Sequence, residues 1–254
     1  MLKRVLKPLV FAVIATGVAS SADNSFIGKW KLNPSLSRMP DEMKVDSKDR
    51  NTYTFDFGGG VGENIVVDGT DQPGRGGTTL SVKPEASDTW IVARKKDGKL
   101  LLRATWKLSN DGSTLTDYYR QFESDGSTTS MDYVYQRQGG GSGFAADWQS
   151  IKETMNSPFV LEVKAYEGDG LTFIDPLLHD TKNVKLDGKD YPVEGSRRSS
   201  SVRRVNEHTL EMTEKDSGNV ILTREIKLSP DGKLTMTVTP PGQSKPNVMV
   251  FERE

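Results

Sequence analysis

Cysteine is absent from the 254 residues. That excludes disulfides, a thiolate metal site and a cysteine-borne lipid, so an exported chain of this kind must rely on an ordinary apolar core. Histidine is nearly absent: His179 and His208, each beside an acid, are the only two. Two histidines cannot build a three-histidine site and neither stands at a zinc spacing, so both are read as surface residues. A basic excess is missing as well, with 16 basic against 17 acidic residues over 23–138 and 15 against 18 over 144–254. Nucleic-acid binding draws on a positive field that neither stretch supplies.

Catalytic signatures are lacking too. There is no Gly-x-Ser-x-Gly, and the Asp-Gly segments do not have the acidic spacing of a calcium loop. Gly58-Gly59-Gly60-Val61-Gly62 is followed by neither Lys-Ser/Thr nor a helical pattern, which makes it a hairpin loop rather than a phosphate cradle. No enzymatic activity, metal or cofactor is expected. The main apolar stretch, Leu9 to Val18, falls well short of the roughly 20 residues that span a bilayer. It lies between Lys3, Arg4 and Lys7 on one side and Ala19-Ser20-Ser21-Ala22 on the other, the layout of a secretory signal peptide cleaved near Ala22. The mature chain is therefore expected in the periplasm or outside the cell, without a stable membrane anchor.

What is present is one unit written twice. Lys107 to Gly112 reappears as Lys227 to Gly232, an offset of 120, and Val67 to Pro73 matches Leu186 to Pro192 at 119. Val134 to Gln138 matches Val250 to Glu254 at 116, while Phe26 and Trp30 match Phe144 and Trp148 at 118. Gly139-Gly140-Gly141-Ser142-Gly143 separates the copies and has the composition of a flexible linker. The expected organisation is residues 1–22 as signal peptide, 23–138 as one β-barrel, 139–143 as linker and 144–254 as a second barrel.

Within each copy the apolar period is two. Leu100, Leu102, Ala104, Trp106 and Leu108 share one strand face, and Val220, Leu222, Ile226 and Leu228 repeat it. Asp97-Gly98, Asp111-Gly112, Asp125-Gly126 and Asp231-Gly232 mark hairpins. An all-β fold of two tandem antiparallel meanders follows, with about eight short strands each, closed to remove their edges. One short helix is expected near Asp147 to Met155, before Pro158.

Gly28-Lys29-Trp30 on the first mature strand resembles the Gly-x-Trp strand of lipocalins and their calycin relatives. The resemblance implies an Arg on the last strand packed over the Trp at the base of the barrel, with Trp30 and Arg137 ending the first copy and Trp148 and Arg253 the second. The second copy departs by carrying Ala146-Asp147-Trp148. The chain also resembles an uncharacterised family of secreted bacterial proteins through Gly28 to Pro34, Asp187 to Pro192 and Ser229 to Lys233; that resemblance carries no activity.

Arg224 occupies the inward position that Ala104 fills in the first copy. A guanidinium among apolar side chains needs an anionic partner, either a ligand or an internal carboxylate. Arg197, Arg198, Arg203 and Arg204 surround Ser199-Ser200-Ser201, and strand alternation lets only one of Arg203 and Arg204 face inward. The sequence therefore suggests an exported carrier for a small apolar or amphipathic ligand, with Arg224, Arg204 and Trp106 as candidate contacts and the second copy favoured. The rival readings are a ligand-free structural or protein-interaction module of the cell envelope, and a hydrolase or isomerase with scattered residues. Oligomeric state is left open.

Overall fold

The computed structural model describes residues 25–58, 60–123, 126–175, 180–239 and 245–254. The expected signal peptide, Asp125 and His179 lie outside them. The first copy runs β1 (Gly28–Leu32), β2 (Glu42–Ser47), β3 (Thr52–Asp56), β4 (Glu63–Val66), β5 (Gln72–Pro73), β6 (Thr79–Ala86), β7 (Thr89–Lys96), β8 (Lys99–Leu108), β9 (Thr114–Phe122) and β10 (Thr128–Gln138). The second repeats it as β11 (Ala146–Met155), β12 (Val160–Tyr166), β13 (Gly170–Asp175), β14 (Asp180–Val184), β15 (Tyr191–Pro192), β16 (Arg198–Asn206), β17 (Thr209–Asp216), β18 (Asn219–Leu228), β19 (Leu234–Val238) and β20 (Asn247–Arg253). The count per copy exceeds the expected eight partly because β5 and β15 are two-residue strands. A 3-10 turn at Arg75–Gly77 is the only helical element among the described residues, and none of their helices is long and apolar enough to cross a membrane.

The strands form two nearly closed antiparallel sheets of ten, ordered β4-β3-β2-β11-β10-β9-β8-β7-β6-β5 and β14-β13-β12-β1-β20-β19-β18-β17-β16-β15. These are called the first and second sheet below. Each copy has given its opening strand to the other. β1 pairs with β12 and β20, and β11 pairs with β2 and β10. The glycine-rich stretch 139–143 thus separates the repeats in sequence but not the sheets in space, since each sheet mixes both halves of the chain.

The exchange corrects two expectations. The stretch Asp147 to Met155 is strand, not helix. Ala146, Trp148 and Ser150 are buried in alternation, and pairing on both edges together with burial of an indole outweighs a weak helical pattern. The Trp–Arg pairs are also crossed between the copies. Arg137 lies over Trp148 at 4.5 Å from the ring centre, and Arg253 over Trp30 at 4.3 Å.

Both bases share one set of bonds. Each indole N–H donates to a carbonyl four residues earlier, Trp30 to Phe26 at 2.8 Å and Trp148 to Phe144 at 3.0 Å. Arg253 donates to the carbonyls of Ile27 and Ser25, and Arg137 to those of Ala145 and Gly143. Gly28 has φ +150, and a Cβ there would sit 2.6 Å from an Arg253 nitrogen, so that base needs glycine. Ala146 fills the matching place in the other base, and the stacking survives.

Turn chemistry follows the sequence. Asp97 and Gly98 both have positive φ in the β7–β8 hairpin, and Gly58 to Gly62 joins β3 to β4. Val220 has the inward parity of β18 but is 60% exposed, because the strand overruns the core beyond the irregularity between Glu214 and Lys215.

The crossed pairing is open to a double-mutant cycle in urea. Arg253→Ala should couple to Trp30→Leu by about 0.5–2 kcal/mol and to Trp148→Leu by close to zero; the opposite pattern would place each Arg on the Trp of its own copy.

Candidate functional site

The copies superpose strand by strand through their registers, and the positions facing each interior can be compared one to one. Val92 is paired with Ala104 in the first sheet as Met212 is with Arg224 in the second. Phe55 is paired with Glu63 as Phe173 is with Lys182. Arg94, two residues past Val92, therefore matches Glu214, and Phe57, just beyond β3, matches Asp175.

In the second sheet those four positions hold a charge cluster. Arg224 is 6% exposed. Its guanidinium reaches Glu214 at 2.7 Å and Asp175 at 3.4 Å, and Lys182 lies 3.7 Å from Glu214. Two acids and two bases cancel. The anionic partner that the sequence demanded is present within the chain, as Glu214 and Asp175.

In the first sheet Ala104 and Phe57 stand where the second has Arg224 and Asp175, and the interior beside them holds a cavity. A cavity of about 660 Å³ is lined there by Ala104, Phe57, Leu102, Trp106, Tyr119, Tyr133 and Tyr135 among others. The remaining ion pair is kept with its signs reversed: Arg94 donates twice to Glu63, at 2.7 and 3.0 Å, and once to Thr78. Burial alone would raise the Glu63 carboxyl, but Arg94 and the Arg75 backbone N–H together hold it below the usual carboxylate range. Arg94 also approaches the Phe57 ring, at 5.7 Å.

Two further acids line the cavity. Asp41 belongs to the segment that carries the chain from β1 to β2; its backbone N–H donates to Ser150 Oγ and its carboxylate accepts from the Tyr135 hydroxyl at 2.6 Å. Burial raises its carboxyl against that bond. Asp117, on β9, is 6% exposed. Burial, with Asp41 and Asp132 adding to it and Trp106 and Arg120 opposing, pushes its carboxyl up to about 7. Its Oδ1 has no hydrogen-bond partner. Burial pushes Tyr119 up to about 12 and raises Tyr133 and Tyr135 well above the usual phenol range, so all three remain neutral hydroxyls.

Of the candidates read from the sequence, Trp106 lies on the cavity wall. Arg224 belongs to the other sheet, and Trp30, Arg137, Trp148 and Arg253 form the two bases. Arg204 has the parity of buried Val202 but is exposed, next to the irregularity between Arg204 and Asn206. Arg203 faces outward in a two-bond pair with Glu211, and Arg197 lies 3.8 Å from Asp216. His208 is exposed in the β16–β17 turn. The cavity of about 660 Å³ lies in the first sheet, whereas the sequence favoured the second copy for a ligand. Sequence reasoning missed Asp117, whose signal was its inward parity between Leu115 and Tyr119.

Compared with protein-family models, with curated proteins and with solved structures, the chain matches none. The coordinates define its class directly: an all-β protein of two nearly closed antiparallel sheets. One interior holds a charge cluster and the other a cavity.

Removing Arg224 tests the filled interior. Arg224→Ala leaves Glu214 and Asp175 short of a counter-charge and should cost roughly 3–5 kcal/mol in chemical denaturation. Asp117 gives a pH signature. Its folded carboxyl titrates above the unfolded one, so the stability it permits is fully present below about pH 4 and is lost as pH rises to about 7, at up to about 1.4 kcal/mol per unit. The stability of Asp117→Asn relative to the parent should therefore be higher at pH 8 than at pH 5, read from urea midpoints.

Proposed function

We propose that the protein is an exported binding protein that carries a small amphipathic ligand in the cavity of its first sheet. The observation that carries this reading is the contrast between the two interiors. The same frame carries a neutral charge cluster in one sheet, and in the other a cavity of about 660 Å³ lies against Ala104 and Phe57. A volume of that size suits a drug-sized molecule, and apolar and aromatic walls with a few fixed polar groups are the usual lining of a ligand site. A closed antiparallel sheet with a Trp–Arg base agrees with the lipocalin-like resemblance of the first strand, and eight-stranded barrels of that kind often hold one ligand. The opening residues, Lys3 to Ala22, support export. The function is binding without a chemical step.

The test is native mass spectrometry of protein purified from its exported compartment. A stoichiometric extra mass that organic solvent removes is expected in the parent and reduced in Ala104→Phe, which narrows the cavity, while Arg224→Ala leaves it unchanged. Bare parent protein in repeated preparations would count against a carrier.

A further inference from the structure

We propose that the cavity takes an organic cation, a protonated or quaternary amine on an apolar skeleton, with Asp117 as its counter-ion. This rests on the binding reading above and narrows the ligand to a chemical class. The first ground is an unanswered acceptor: Asp117 is buried to 6% exposure, lines the cavity and has an oxygen with no partner. A buried acceptor left unmade costs free energy that a bound donor restores.

The second ground is the sister sheet. Ile226 is paired with Met236 as Trp106 is with Asp117, and Leu32 N–H donates to Phe159 as Ser150 N–H does to Asp41. The second sheet closes with Met236 and Phe159 where the first has Asp117 and Asp41. Neither acid belongs to the frame that the two sheets share, and both line the interior that holds the cavity.

The third ground is the wall. Trp106 and three tyrosines surround the cavity, and their ring faces attract cations, most strongly where water is excluded. Of the two arginines on the lining, Arg94 is held by Glu63 through two bonds, and Arg75 is exposed at the edge with its backbone N–H on the same carboxylate. An anionic ligand would meet Asp117 and Asp41 with like charge, and a neutral one would leave the Asp117 carboxylate unpaired.

The groups around Asp117 set the pH response. Trp106 reaches it from β8, Tyr133 is paired with it and Asp132 adjoins from β10, Tyr119 and Arg120 share β9, and Asp41 comes from the β1–β2 segment. None of the tyrosines ionises between pH 6 and 8. With Asp117 titrating at about 7, a cation that binds only the carboxylate should gain about tenfold in affinity from pH 6 to pH 8. A neutral ligand accepting from protonated Asp117 should lose affinity over the same range.

The probes are 4-phenylbutylamine, 4-phenylbutan-1-ol and 4-phenylbutyrate, titrated calorimetrically into the full-length mature protein at pH 6 and pH 8. The amine is expected to bind at least tenfold tighter than the alcohol at pH 8 and to strengthen from pH 6. That advantage should vanish in Asp117→Asn and in Asp117→Met, which copies the sister position, with both variants still binding the alcohol. Equal binding of amine and alcohol, tightest binding of the carboxylate, or an amine preference unchanged in both variants overturns the cation while leaving the cavity as a binding site. Failure of all three probes to bind the parent, together with a bare native mass, overturns both readings.

Discussion

The exchange of opening strands is the constraint on which everything else depends. Neither copy can close its sheet alone, because the strand that must lie between its second and last strands belongs to the other copy. The exchanged strands carry the indoles of the two bases, so each Arg at the end of a copy finds its partner only after the swap. The cavity inherits this dependence: Asp41 is held by Ser150 of β11 and by Tyr135, and its place on the wall is set by a strand from the other half of the chain.

On that common frame the two interiors solve the same packing problem in opposite ways. Four positions hold Phe57, Glu63, Arg94 and Ala104 in one sheet and Asp175, Lys182, Glu214 and Arg224 in the other. Burying charge is tolerable only when it is matched, and the second sheet matches all four. The first keeps one matched pair and replaces the other with apolar side chains. Its wall is polar elsewhere, with Asp117 where the sister has Met236. Matched ions stand at these positions in one sheet, and a cavity fringed by acids in the other.

Much of the fold was readable from the chain. The repeat offsets, the period-two faces and the Asp-Gly hairpins point to two antiparallel barrel-like sheets, and the structure has them. The exchange was not readable, because a duplicated unit has the same pattern whether its first strand stays or crosses. The β11 stretch was misread as helix because Trp148 and Ser150 declare their alternation only once both neighbouring strands are known. The site was half visible. Setting Arg224 opposite Ala104 found the informative position, but attention went to the charge when the smaller residue marked the space. Asp117 looked like one of many acids, because an acid at an inward parity between Leu115 and Tyr119 stands out only once its register partners, Trp106 and Tyr133, are known.

The swap also dictates an order of assembly. The first sheet cannot be completed until β11 has been made, well past the glycine-rich stretch, and the second needs β1, the earliest described strand, to wait for β20 at the far end of the chain. Contacts between the extremes of a sequence are slow to form because the intervening loop must first be closed. During synthesis β1, with its buried-type indole, has no partner until β12 is made, and its other edge stays open until β20. Folding once the whole chain is available, with both ends free at once, suits this topology better than folding as the chain emerges.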